Sequence, residues 1–338
     1  MAETMNQALI ETTVKQAIKR IQDDPERSTR NLVDMALLFS NGKFQQRFLE
    51  VIQQMLQNEQ SSYYRLIRDL ISNVDSKRIT TFGINLGYNS CTRGARIIRK
   101  TESEQNFNVP WSIFLEIDNY IFRSHEEQYF SLLEQGQSLG IYTWILGSDN
   151  GITNCLELAE KYTDHAFLIL CHPSSITSAL LDEAGELYNI MFSVVHEDGV
   201  EDTCNLLRKR NFLYSVSYSY DEDDLSDILN GNILSDTQVL HPVFTLFCPK
   251  NDCPLPIQQL VYEYVLETRM NQNHLTIPFD LVHDMQYIDE IISEGATFIH
   301  FDKNGNCHSK TTKSFDNNYN FFEYKLTDIL NEVASKLS

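Results

Sequence analysis

Ser112-Ile-Phe-Leu-Glu-Ile117 and Ile141-Tyr-Thr-Trp-Ile-Leu146 are the two stretches that decide the fold, because a helical segment, residues 126–139, joins them. Each is a short apolar run of the length expected for a buried strand. A strand, a helix and a second strand in this order favour two parallel strands that are connected by a right-handed crossover.

The same alternation continues along the chain. It predicts six strands, at residues 112–117, 141–146, 166–170, 190–195, 212–217 and 243–247. The helices that follow or separate them are predicted at residues 126–139, 154–162, 174–185, 200–209, 222–229 and 255–272. Six parallel strands are too few for a closed eight-stranded barrel. The sequence therefore predicts an α/β fold, a partial (β/α)6 TIM-like barrel.

Different patterns flank this core. Helical spacing predicts an α-helical N-terminal segment, with helices at 29–39, 44–57 and 61–73 and a further helix or extended approach at 78–98. Two short strands, at 275–279 and 296–301, an Asn-Gly turn and a helix at 321–337 predict a small α+β C-terminal extension. We expect three parts: a helical region over 1–107, the partial barrel over 108–272 and the extension over 273–338.

Composition narrows the possible partners. The chain has 338 residues, with 27 Lys and Arg against 47 Asp and Glu, a formal net charge of −20. Such a surface repels phosphate backbones and anionic lipid head groups, so we expect neither nucleic acid nor membrane binding. The acidity either serves solubility or favours docking to a basic protein or peptide.

The seven cysteines are scattered and odd in number, which indicates free thiols in a reducing compartment. Cys248 and Cys253 are the one close pair, and without a second pair they are a weak metal signal. Residues 1–6 lack the pattern of a signal peptide, and no apolar run reaches the length of a membrane span. We expect a cytoplasmic protein.

Several segments outside any reactive motif resemble one enzyme family. They are Asn108-Val-Pro-Trp-Ser-Ile-Phe-Leu115, the helix and strand start at 134–142, residues 277–287, and residues 296–306 with 324–330. Over about residues 60–335 the chain resembles the radical SAM enzymes that carry a SPASM or twitch C-terminal extension. The resemblance implies a partial barrel followed by that extension.

The functional motifs of the family are missing from the chain. Its CxxxCxxC loop, which holds a [4Fe–4S] cluster through thiolates, would follow Asp118, where the chain instead continues through residues 119–125 into the predicted helix at 126–139. Its GGEP segment falls on residues 148–151, and its ribose-contacting stretch on 196–200. The cysteines of the extension are replaced as well. We therefore expect a degenerate member without the cluster, with no cofactor and no radical chemistry.

Polar residues still follow the predicted strands, where barrels carry their reactive groups. These candidate ligand residues are Asp118, Asp149, Asn150, His172, His196, Glu197 and Tyr218. Histidine and carboxylate side chains that converge could bind a divalent metal; otherwise they form the polar rim of any parallel barrel. Tyr214, Tyr218 and Tyr220 lie on one face of a strand and form either a stacking wall or core packing.

Three hypotheses about function remain. The first is a non-catalytic accessory or regulatory subunit that binds a protein partner, such as an active radical SAM paralogue or a basic peptide. The second is a repurposed barrel enzyme or small-molecule binder, with or without a metal ion. The third is a sensor that binds SAM or a nucleotide without chemistry. A mouth filled by Tyr120, Phe122 and Trp144 would favour the first, and Asp118, His172 and His196 within about 5 Å of one another would favour a metal enzyme.

Overall fold

The structure is a computed structural model, and it describes residues 12–17, 19–21, 24–39, 43–293, 295, 297–309 and 319–336. The chain is divided into two compact units. Unit 1 contains residues 1–81 and 192–283, and unit 2 contains residues 82–191 and 284–338. Each unit is therefore built from two separate stretches of sequence.

Unit 1 begins with helices. They are α1 (Pro25–Phe39), α2 (Lys43–Met55), α3 (Ser62–Asn73) and most of α4 (Ser76–Ile84). Val33, Leu56 and Tyr64 form a small core between these helices. Arg208 binds Asp69 of α3 through two hydrogen bonds, of 2.7 and 2.5 Å. The N-terminal helices are thus fixed to the later part of their own unit, as a bidentate ion pair has a defined geometry.

The second stretch of unit 1 alternates strands and helices. Its strands are β4 (Ile190–Val195), whose first two residues belong to unit 2, β5 (Tyr214–Tyr220), β6 (Phe244–Pro249) and β7 (Ile277–Asp280). They pair in parallel in this order. The helices are α10 (Val200–Lys209), α11 (Leu225–Leu229), α12 (Asn232–Gln238) and α13 (Leu255–Asn271). Tyr220, Phe247 and Val261 are central in the core between α11–α13 and the sheet.

Unit 2 holds the other strands. They are β1 (Ser112–Glu116), β2 (Thr143–Ser148), β3 (Ala166–Cys171), β8 (Ile299–Phe301) and β9 (Cys307–Ser309). β1 pairs in parallel with both β2 and β8, β2 pairs in parallel with β3, and β9 pairs antiparallel with β8. Its helices are α5 (Ala95–Glu104), α6 (Asn119–Ser124), α7 (Glu126–Leu139), α8 (Ile152–Lys161), α9 (Ser178–Glu183), α14 (Leu281–Ile292, mostly in this unit) and α15 (Leu326–Val333).

The two faces of the unit 2 sheet differ. Leu115, Leu146 and Ile169 are fully buried on one face of the sheet. This face packs on α7, because a Cβ added to Gly136 of that helix would lie 2.6 Å from the ring of Trp144 in β2. Phe114 and Leu168 point to the other face and are only half-buried. This asymmetry follows from the alternation of side chains along a strand.

The strand order is β7-β6-β5-β4-β3-β2-β1-β8-β9. Strands β1 to β6 lie beside one another in sequence order, as the alternating pattern predicts. This confirms the expected α/β fold, a partial (β/α)6 barrel with an α-helical N-terminal segment and a small C-terminal extension. The C-terminal helix α15 (Leu326–Val333) is shorter than the predicted helix at 321–337. Two residues of the predicted elements, 296 and 337, lie outside the described residues.

The predicted segment 78–98 contains a ten-residue π-helix, Asn85–Gly94, between α4 and α5. Such long π-helices are rare. Asn85 donates from its amide to the carbonyls of Thr163 and His165, at 2.9 and 2.8 Å, and Asn89 donates to that of Asp164 at 2.9 Å. These buried bonds hold the π-helix against the segment that precedes β3. In the described part of the chain, every helix is too short or too polar to cross a membrane.

Candidate functional site

The turn after β1 is the position where a cluster loop would be inserted. β1 ends at Glu116 and α6 begins at Asn119. Asp118 caps the helix by accepting hydrogen bonds from the backbone N–H groups of Tyr120 and Ile121, at 2.9 and 3.0 Å. Aspartate is a favoured N-cap because it satisfies these otherwise unpaired donors. The turn is thus complete with two residues and has no loop.

Asn150 closes the same turn from the end of β2. Its amide donates to Asp118 at 2.9 Å, and its carbonyl oxygen accepts from the backbone N–H of Asn119 at 3.0 Å. The hydrogen bond from Asn150, together with the backbone bond from Ile121, lowers the pKa of Asp118. Asp118 and Asn150, two of the sequence-predicted site residues, are therefore brought together, in a structural contact that ties two loops.

The segment after β2 is also internally bonded. Ser148 donates from its hydroxyl to the carbonyl of Ile117 at 2.8 Å and accepts from the backbone N–H of Gly151 at 2.6 Å. A Cβ on Gly151 would lie 2.8 Å from the same carbonyl, so the backbones approach closely there. The Ser148 side chain occupies the inside of the turn at which the resemblance places the methionine end of SAM.

Asp149 and His172 form a second pair in unit 2. Asp149 follows Ser148, and its side chain is 91% exposed. His172 follows β3 and precedes Pro173, and its Nε2 lies 3.3 Å from the Asp149 carboxylate. Both groups are solvated, and a pair of this kind contributes little to stability.

The remaining three predicted site residues belong to unit 1. His196 follows β4, and its ring centre lies 5.6 Å from that of Tyr218. The Tyr218 hydroxyl donates to Asp224 at 2.9 Å. Glu197 contributes its carbonyl to a backbone hydrogen bond from Val200, at 3.1 Å, at the start of α10. His196 and Tyr218 are thus adjacent, in a contact between rings.

The tyrosines of β5 pack in the core. Tyr220 is fully buried in the cluster beneath α11–α13, and Tyr218 packs against the edge of that cluster. The Tyr220 hydroxyl donates to the buried Asp280 at 3.3 Å. Of the two interpretations of this tyrosine face, the contacts match core packing.

The three aromatic residues expected to fill the barrel mouth differ in exposure. Tyr120 is 80% exposed, while Phe122 and Trp144 are fully buried. Phe122 packs on Tyr129, with ring centres 4.8 Å apart. Within the described ranges, no three His, Cys, Asp or Glu side chains are grouped to hold a metal ion.

Burial disfavours the thiolate form of five of the seven cysteines. All seven are free, and only Cys91 and Cys248 are more than slightly exposed. Burial raises the pKa of Cys91, Cys204, Cys248 and Cys307 to about 12, and it raises that of Cys155 further. A [4Fe–4S] cluster needs thiolate ligands. The donor set of this chain, with no cysteine in the β1–α6 turn, does not fit the cluster that the resemblance would imply.

Sequence reasoning missed a group on β8 and β9. His300 Nε2 lies 2.9 Å from the Glu116 carboxylate of β1, and His308 Nε2 lies 3.2 Å from Asp302. The two imidazole ring centres are 5.5 Å apart. The hydrogen bond from His300 lowers the pKa of Glu116. The signal in the sequence was a histidine two residues before the predicted turn at 302–306 and another two residues after it.

A buried carboxylate was also missed. Asp289 of α14 accepts from the backbone N–H groups of Trp111, at 2.7 Å, and Thr297, at 2.5 Å. Burial raises its pKa well above the usual value. Asp289 joins the residues before β1 to those before β8, so its role is to hold β8 beside β1.

Comparisons with known proteins give a weak likeness. No family model and no curated protein matches the sequence. Among solved structures, the crystal structure of Streptococcus suis SuiB bound to S-adenosylmethionine is similar at 10% identity, with a TM-score of 0.49, over 70% of this chain and 67% of that chain. A further SuiB structure gives 10% identity and a TM-score of 0.48 over 91% and 82% of the two chains. Both scores are below 0.5, so this likeness alone assigns neither family nor activity.

Proposed function

We propose that this chain is a radical-SAM-like barrel that carries no iron–sulfur cluster and acts by binding a protein partner. The observation that carries the proposal is the turn between β1 and α6. Asp118 caps α6 two residues after the strand ends, and no cysteine lies in that turn. A chain that keeps the barrel without the ligands of the reaction retains a scaffold that can serve as an accessory or regulatory subunit in a reducing cytoplasm.

Helix α13 offers the surface for such a partner. Its inner face, with Val261 and Val265, is fully buried in the unit 1 core. Its outer face exposes Leu260, Leu266 and Met270, between 40% and 51%. Exposed apolar side chains that continue along one helix face are typical of interaction sites.

The charge around this face defines the partner. Glu263 and Glu267 are exposed on the same side of α13 as the apolar residues, and the chain as a whole carries a net charge of −20. A complementary surface combines apolar side chains with Lys or Arg. We propose an active radical SAM paralogue that carries such a surface.

The test is anaerobic co-purification from the native host, with identification of the bound protein. A stoichiometric protein with an intact CxxxCxxC motif is expected with wild type. It should be lost with Leu260→Glu/Met270→Glu and retained with Val51→Glu, a control at a similarly exposed apolar residue (42%) of α2. Wild-type protein that elutes alone would contradict the proposal.

A small-molecule binder is the second candidate, and one observation favours it. Phe114, Leu168 and Leu170 of unit 2 are half-buried on one sheet face, and the Phe114 ring centre lies 4.7 Å from that of His300 in the Glu116–His300 pair. Half-exposed apolar groups with a few polar ones are typical of ligand sites. Calorimetric titration with SAM tests the sensor version; since Ser148 fills the turn after β2, we expect no heat at millimolar SAM.

A further inference from the structure

Two histidines stand side by side on the hairpin at the C-terminal end of unit 2. β8 and β9 pair antiparallel, and His300 is directly opposite His308. Their ring planes are inclined by 38°. Residues directly opposite in such a pair project to the same face of the sheet. The hairpin therefore presents two imidazoles next to each other.

A carboxylate holds each of these rings by the same nitrogen. Glu116 lies 2.9 Å from Nε2 of His300, and Asp302 lies 3.2 Å from Nε2 of His308. An acceptor at Nε2 fixes the neutral tautomer in which Nε2 carries the proton, so the lone pair is at Nδ1. In the described chain neither Nδ1 has a hydrogen-bond partner. This is the arrangement of a metal-ligating histidine, whose other nitrogen binds a carboxylate.

Both carboxylates are themselves held. Asp302 accepts from the backbone N–H groups of Asn304 and Asn306, each at 2.9 Å. Glu116 accepts from the backbone N–H of Lys303 at 3.3 Å. The bonds at Asp302 arise from the tight turn between β8 and β9. Backbone N–H groups thus support the two carboxylates that orient the rings.

The spacing and exposure suit a bound ion. Zn–N bonds of about 2.0–2.1 Å place two ligating imidazole centres roughly 5 Å apart, and the observed separation is 5.5 Å. The side chains of His300 and His308 are 27% and 58% exposed. Water can therefore reach the ion and complete its coordination.

We infer that His300 and His308 bind a late first-row divalent metal ion through Nδ1, with Glu116 and Asp302 as the carboxylates that orient them. Imidazole selects Zn²⁺, Ni²⁺ or Cu²⁺ over Mg²⁺ and Ca²⁺. The described residues supply no third His, Cys, Asp or Glu ligand, so the affinity is that of a two-histidine site. The site does not depend on the proposed partner function, and its residues differ from the seven predicted from the sequence.

The test is calorimetric titration of the untagged, full-length chain with Zn²⁺ at pH 7.5. Wild type is expected to bind one ion, and His300→Gln/His308→Gln is expected to lose this binding. Glu116→Gln keeps both ligands and should weaken binding about 10- to 100-fold, as for other oriented metal ligands. His241→Asn is the matched control, because His241 is 3.7 Å from a carboxylate, that of Asp69, but is not a member of the pair.

Two further readouts separate ligation from a structural role. Binding should weaken as the pH is lowered, because protonated imidazole does not ligate. Nitrogen NMR of histidine-labelled protein should show the Nδ1 signals of His300 and His308 shifting on addition of Zn²⁺. The inference is overturned if wild type binds no stoichiometric Zn²⁺, or if the double variant binds it with unchanged affinity.

Discussion

Thiol reactivity gives a direct measure of whether this chain can offer thiolates. The native protein is treated with a chromogenic disulfide reagent at pH 8. Cys91 and Cys248 are the half-buried thiols that a reagent can reach, and burial raises the pKa of each to about 12. The thiolate is the reacting species, so its fraction sets the rate.

The size of the effect follows from the two pKa values. At pH 8 a thiol of pKa 12 is about 0.01% thiolate, and one with the ordinary pKa of 9 is about 9%. The ratio is about 900-fold. Since the partial exposure of Cys91 and Cys248 offsets some of the burial, we expect slowing on the order of 100- to 1,000-fold relative to free cysteine.

The assay follows the released chromophore by stopped flow and then by hand mixing, in native buffer and in denaturant. We expect a slow native phase from Cys91 and Cys248, no prompt phase, and reaction of all seven thiols after unfolding. The Cys91→Ser/Cys248→Ser variant should lose the slow phase. Two or more thiols that react in the native state as fast as free cysteine would refute the reasoning, because they would be available as cluster ligands.

Three further predictions concern the fold and its turns. Gly140→Ala should lower the free energy of unfolding in urea by at least about 1–2 kcal/mol, since Gly140 has φ +100° and a Cβ there would lie 2.5 Å from the Gly94 carbonyl; Gly185→Ala, with no atom within 4 Å, is the neutral control. Burial lowers the pKa of His165 to about 3, below the unfolded value near 6.5. The unfolded chain then binds the extra proton, so stability should fall as the pH drops from about 6.5 to 3, and His165→Phe should flatten this dependence in acid denaturation followed by circular dichroism. Asp118→Ala should cost about 1 kcal/mol through the lost N-cap, whereas Asp118→Asn, which can still cap α6 but loses the hydrogen bond from Asn150, should cost less in the same urea assay.

The sequence predicts the six barrel strands well because each is a short apolar run between helical segments. Its errors are at the ends. β5 was predicted from Phe212 but begins at Tyr214, because Phe212 packs before the strand, beneath the Arg78 guanidinium at 3.7 Å. β5 also continues to Tyr220, past the exposed Ser219, where alternation hides the apolar pattern.

Features that depend on distant residues were not predictable. The π-helix has no apolar period, and it is held by amide bonds from Asn85 and Asn89 to carbonyls nearly 80 residues away. The segments before β1 and before β8 are joined by the buried Asp289, which no local sequence pattern indicates. The three-part division at 107 and 272 remains a prediction.

The candidate site was also predictable from the sequence only in part. The sequence predicted that polar residues follow the strands. In the structure Asp118 contacts Asn150, and Asp149 contacts His172. That Asp118 caps a helix could not be read, since this depends on where α6 begins. The His300–His308 pair requires the register of two strands, and periodicity alone does not fix register.

The central claim is that the barrel carries no cluster, and anaerobic reconstitution tests it most directly. The full chain is incubated with ferrous iron, sulfide and reductant, desalted, and assayed for iron, for cluster absorption and for cleavage of SAM, beside an active radical SAM enzyme. We predict no cluster absorption and no 5′-deoxyadenosine, with any bound iron lost in His300→Gln/His308→Gln. A [4Fe–4S] spectrum that persists in that variant and cleaves SAM would contradict the claim.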